Sequence, residues 1–166
     1  MWIPFDEMPA QARIWIYQAN CSLSAEMQQT IETYLENQIA AWSSHGSPIR
    51  GSAKTLHNRF VVVAADEAYQ APSGCSIDKS VHWLKELGNM LAVDFFDRSV
   101  TLLKENKVES VPLNSIKKHI DTGMIGLDTI VFNNTVISKE QMDKDWSITA
   151  KKSWMARYFV ISQESV

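Results

Sequence analysis

Cysteine is scarce. The 166 residues hold only Cys21 and Cys75, and these share no short metal-ligand spacing. A disulfide framework or a cysteine-based zinc site is therefore not what organises the chain, and a reduced, cytoplasmic setting is expected. Long apolar runs are missing as well: the longest, Phe60 to Ala65, has six residues, where a membrane helix needs about 20. No membrane partner is expected. Met1 to Ala10 lacks the basic and apolar regions of an export signal and carries Asp6, Glu7, Pro4 and Pro9 instead. Positive charge is not in excess, because 16 Lys and Arg stand against 19 Asp and Glu for a net −3. No overall field would gather nucleic acid, so nucleic acid is not an expected partner. The four histidines are scattered without ligand spacing, and neither a metal nor a cofactor is expected.

What is present is an average globular composition, 45% apolar and 21% charged, which places the chain among folded proteins. Arg13 to Ala19 alternates with a period of two, Ile14 and Ile16 on one side and Trp15 and Tyr17 on the other, which predicts a strand covered on both faces. Ser24 caps a helix in which Met27, Ile31, Tyr34, Leu35, Ile39 and Trp42 recur at helical spacing, ended by His45, Gly46 and Pro48. Ile49 to His57 and Phe60 to Ala65 predict a hairpin whose second strand is buried. From Gly74 an apolar stripe of Ile77, Val81, Leu84, Leu87 and Leu91 predicts a second helix, and Val93 to Phe96 a further strand. That order gives an α+β fold with a ferredoxin-like βαββαβ core over residues 1–99. Beyond it, Val100 to Leu103 and Val108 to Val111 predict a hairpin, Leu113 to Ile120 a short helix, and Thr129 to Phe132 with Thr135 to Ile137 a hairpin around Asn133 and Asn134. Residues 100–166 are expected to be a β-rich extension packed on the core.

Phe60 to Ala65 followed by Asp66 and Glu67 has the form of a Walker B strand. A P-loop is missing, however: the only glycines with the required spacing, Gly46 and Gly51, are followed by Ser52 and Ala53, with no lysine to neutralise phosphate. ATP hydrolysis is excluded on these residues. Through Trp2 to Tyr17, Ser73 to Lys79, Val93 to Arg98 and Ser153 to Phe159, the chain resembles a family of small bacterial proteins labelled "ABC transporter ATPase". The resemblance implies a label and no demonstrated activity, and the label conflicts with the missing P-loop.

Cys75 opens the second helix after Ser73 and Gly74, where the helix dipole and unpaired amides favour a thiolate, and Lys79 adds positive charge one turn on. His82 is seven residues away, about 10 Å along the axis, too far for a dyad within the helix. His57 or Arg59 from the preceding hairpin turn are the neighbours a thiol-dependent enzyme would need. The more ordinary reading is a structural cysteine. Trp15 and Tyr17 raise a third reading, a single-stranded RNA binder that stacks bases on its sheet. Asp94, Asp97 and Arg98 read either as a polar site or, the more ordinary reading, as an acidic turn with an ion pair.

The segment Val111, Pro112, Leu113, Ile116, Ile120, Gly123, Ile125, Asp128 to Phe132, with Trp146 and Ala150, resembles the bacterial variant of the GYF domain. The resemblance implies an adaptor-like module that takes a protein or peptide. The tyrosine and phenylalanine of the eponymous motif are missing, so its binding residues do not carry over. Trp154, Tyr158 and Phe159, at i, i+4 and i+5, form an aromatic cluster that either closes the core or serves as the binding surface. The expectation is a non-catalytic binding or assembly module. The oligomeric state is not legible in the sequence.

Overall fold

The structure, a computed structural model, describes residues 1–159 of the chain. Strand β1 (Arg13–Gln18) leads into helix α1 (Ala25–Ala40), where Ser24 Oγ accepts the Met27 amide at 3.1 Å and so satisfies one of the open donors of the first turn. The helix stops before His45. Trp42 already lies past its end, and a two-residue turn at His45 and Gly46 joins the short strands β2 (Ser43–Ser44) and β3 (Ser47–Pro48). Strands β4 (Gly51–Leu56) and β5 (Phe60–Ala65) form the expected hairpin, and β5 is buried along its whole length.

The first sheet has the order β1-β5-β4 and is antiparallel throughout. On one face, α1 and helix α2 (Gly74–Leu91) enclose Tyr17, Ala53, Val61 and Val63 together with Leu35, Trp42 and Leu84. The buried stripe of α2 is Ser76, Ser80, Trp83, Leu84 and Leu87, rotated from the predicted one. Trp83 replaces Val81 because it packs edge-on to Trp42, with ring centroids 5.2 Å apart. Helix α2 ends on Ala92 in the left-handed region, and a Cβ on Gly88 would lie 2.6 Å from the Val93 carbonyl, so the chain can double back only over a glycine.

The fourth strand expected at Val93 to Phe96 does not form. Phe96 makes one isolated parallel bridge to Gln18, and the rest of the segment bends because Asp94 Oδ1 accepts the Phe96 amide at 2.8 Å.

A second antiparallel sheet, β7-β6-β8-β9, is built from β6 (Val100–Lys104), β7 (Lys107–Val111), β8 (Ile130–Phe132) and β9 (Ser147–Thr149), with α3 (Ile116–Asp121) between β7 and β8. The hairpin expected around Asn133 and Asn134 is replaced: β8 pairs with β9, and Thr135 to Ile137 crosses back to β1, where the Ile14 amide donates to the Ile137 carbonyl at 3.0 Å. The physical reason lies in side chains. Val136 buries itself under the first sheet, and Asn133 Oδ1 takes the Thr135 amide, which turns the chain away from β8. Phe132, Val136, Met142 and Trp146 thereby cover the second face of the first sheet, packing on Ile14, Phe60, Val62 and Ala64. No helix among the described residues is long and apolar enough to cross a membrane.

Candidate functional site

The two sheets meet along β1, and their junction is polar. Gln18 is 3% exposed. Its Nε2 donates to Asp97 Oδ2 at 3.0 Å and to the Ser99 carbonyl at 2.9 Å, while its Oε1 accepts from Thr101 Oγ1 at 3.1 Å and from Asn134 Nδ2 at 2.9 Å. Asn134 Oδ1 in turn accepts the indole N–H of Trp146 at 2.9 Å. Every polar atom of this amide is used, which is the condition for a buried polar hub to stabilise rather than cost.

Above this hub lies a cleft of about 390 Å³. Phe96, 40% exposed and edge-on to Tyr17 at 5.7 Å, lines it together with Leu113, 61% exposed, and Trp154, 42% exposed. Three large apolar side chains thus surround one opening whose floor is polar. The titratable groups at the cleft are Tyr17, Asp97 and Arg98. Burial pushes the Tyr17 phenol above its ordinary value, and Asp97 spends its carboxylate on Gln18 and on Ser99. The expected ion pair is not made: exposed Arg98 has no salt bridge among the described residues. The arrangement offers contact and hydrogen bonding, and the Ser99 hydroxyl at the cleft donates to Asp97 Oδ1 at 2.9 Å.

The edge of β1 adds a second feature. Ile14 and Gln18 turn their backbone groups away from β5, Ile14 toward Ile137 and Gln18 toward Asp97. By the two-residue period of a strand, Ile16 presents its N–H and C=O on the same edge, and no described residue pairs with them there. Ile16 borders the cleft.

The other residues singled out in the sequence are scattered. Cys75 is exposed at the start of α2 and Lys79 is exposed on the same helix. His57 and Arg59 lie in the turn where β5 begins, whereas α2 follows the end of β5, roughly 17 Å of strand away. The structure does not bring His57 or Arg59 to the thiol. Arg59 instead donates from Nε to the Ala19 carbonyl at 2.7 Å and from Nη2 to Ser110 Oγ. His57 packs on Phe132 and Trp146, with ring centroids at 5.0 and 5.5 Å, and this burial lowers its pKa. Of the C-terminal aromatics, Tyr158 and Phe159 are half-buried on the second sheet's core, and the plug is Met155, fully buried. Trp15 and Tyr17 belong to the helix-covered core rather than to an open platform. The acidic pair after β5 is structural: Asp66 meets Arg50 at 3.7 Å and Glu67 meets Arg13 at 3.5 Å. Among the described residues no three His, Cys, Asp or Glu side chains gather in a way that could hold a metal ion.

Gln18, Phe96 and Leu113 escaped the sequence reading. A signal for Gln18 existed: it falls on the same strand face as Ile14 and Ile16, so a polar side chain occupies a slot the pattern reserves for an apolar one. No protein-family model, curated protein or solved structure matches the chain.

Proposed function

We propose that the protein is a non-catalytic binding module that takes an extended peptide segment of a protein partner across the cleft, through an apolar side chain and a short stretch of backbone. The observation that carries the reading is the grouping of Phe96, Leu113 and Trp154, all exposed, around one opening beside the unpaired edge at Ile16. Isolated exposed apolar residues are ordinary, whereas a ring of them over a polar floor has the composition of a recognition site. Strand-edge pairing supplies affinity without sequence preference, and the apolar pocket supplies the preference. An adaptor role of this kind is also what the GYF-like resemblance of the C-terminal part implies. In this reading residues 1–99 are a reduced ferredoxin-like core, residues 100–166 the extension that completes the cleft, and the protein acts in the cytoplasm.

The test is selection of peptides on the full chain, followed by calorimetric titration of the selected sequences against Trp154→Ala and Leu113→Ser. Binding that weakens at least tenfold in both variants is expected. Peptides that bind both variants as tightly as the native chain, or a selection that yields no binder, would refute the proposal.

A further inference from the structure

Two hairpin tips meet at the end of the first sheet opposite the start of α2. One is the β4–β5 turn with His57, Asn58 and Arg59; the other is the β6–β7 turn with Glu105 and Asn106. Between them lies a pocket of about 330 Å³ lined chiefly by Ser22, His57, Asn58, Arg59, Asn106 and Lys107. Arg59 is 9% exposed, yet no Asp or Glu among the described residues forms a salt bridge with it. Its Nε and Nη2 have neutral acceptors in Ala19 and Ser110, and Nη1 has none among the described residues. A buried charge is ordinarily paired, because losing water costs several kcal/mol that neutral acceptors only partly return. Arg59 lines a pocket rather than a sealed core.

The rest of the lining has the matching chemistry. Lys107 is a second basic side chain at the pocket and is exposed. Asn58 Oδ1 accepts from Gln28 Nε2 at 3.0 Å, and its own side-chain amide N–H groups have no partner among the described residues. No carboxylate among the described residues lines the pocket; Glu105 shares the turn of Asn106 but is not one of the walls.

We propose that this pocket binds a phosphoryl group, with Arg59 and Lys107 supplying charge and the Asn58 and Asn106 amides and the Ser22 hydroxyl supplying neutral donors. Two cations and several separate donors suit a dianion with three or four acceptor oxygens better than a carboxylate with two. The site is independent of the peptide cleft, and either can fail without the other.

The experiment titrates the isotopically labelled full chain, in chloride buffer at matched ionic strength, with inorganic phosphate, with phenyl phosphate and with acetate, following backbone amide signals. Phosphate is expected to move the signals of His57, Asn58, Asn106 and Lys107 saturably in the millimolar range or below, with acetate much weaker. Lys107→Gln, at an exposed position, is expected to weaken phosphate about tenfold with the fold intact. Arg59→Gln is expected to abolish it, with circular dichroism checking that the variant folds. Phenyl phosphate binding more tightly than phosphate identifies a phosphorylated organic ligand; equal binding identifies phosphate itself. No saturable shift with either phosphate, acetate as effective as phosphate, or Lys107→Gln binding at the native level would overturn the proposal.

Discussion

The two faces of the first sheet are closed in different ways. The helix face is covered by α1 and α2, which follow directly on strands of the same sheet, and its contacts are almost wholly apolar, with Trp42, Leu35 and Leu84 each at most 1% exposed. The other face is covered by residues 132–146, which arrive from a second sheet. It combines a cluster of Phe60, Phe132, Trp146 and His57 with the hydrogen-bonded hub at Gln18. Packing that is mainly apolar, with a few hydrogen bonds such as that from the Trp42 indole N–H to the Ser76 carbonyl at 3.0 Å, leaves few gaps. A polar junction fixes the orientation of two sheets but leaves openings where side chains run out, and both the peptide cleft and the phosphate pocket lie at that junction.

If the helix face supplies most of the stability, Trp42→Ala should have the largest effect, about 3–5 kcal/mol in denaturant melts, because it empties a large buried site and leaves Trp83 without its edge contact. Gln18→Met tests the polar face. It leaves Asp97, Thr101 and Asn134 each short of a partner and should cost about 1–3 kcal/mol, while the helix-face aromatic signals in near-ultraviolet circular dichroism persist. A cost near that of Trp42→Ala would show that the two faces contribute alike.

His57 sharpens the comparison through pH. Its folded-state pKa is lowered by burial, so below about 6.5 the unfolded chain takes up a proton more readily than the folded one. The stability it contributes is therefore complete above that value and declines as the pH falls toward the folded-state pKa. His57→Asn, which keeps a residue tolerant of the left-handed backbone at φ 54°, should flatten this part of the stability profile. The smallest effect on stability belongs to Trp154→Ala, about 0.5 kcal/mol or less, because the ring is exposed. A larger loss would mean that the tryptophan anchors the module instead of lining the cleft.

How much the sequence revealed follows the same division. Helix α1, its Ser24 cap, the β4–β5 hairpin and the buried character of β5 are set by local spacing and are found where the pattern puts them. Val93 to Phe96 has the apolar character of a strand, but the Asp94 turn and the crossing of Thr135 to Ile137 decide which segments reach the edge of β1. Those are tertiary facts with no local signature. Of the cleft residues, Trp154 was visible as part of an aromatic cluster. Phe96 and Leu113 looked like ordinary core positions, because periodicity reports which residues are apolar and not which of them the other sheet fails to cover.

The lysine at position 139 donates to the carbonyls of Met8 and Asp6, 131 and 133 positions earlier, at 2.8 and 3.3 Å. The N-terminal segment is thus fastened to the chain that follows Thr135 to Ile137. During synthesis the helix face can close once α2 has emerged, but the face carrying Phe60, Val62 and Ala64 has only the N-terminal Phe5, Met8 and Ala12 to cover it until Phe132 to Trp146 has been made. For that interval the nascent chain displays an apolar strand surface to the cell, the kind of surface that holdase chaperones recognise and that collides with other nascent chains. Contacts of such high sequence separation also form slowly. Asn134 and Trp146, which complete the polar hub at Gln18, belong to that late segment, so the hub cannot be completed before it docks.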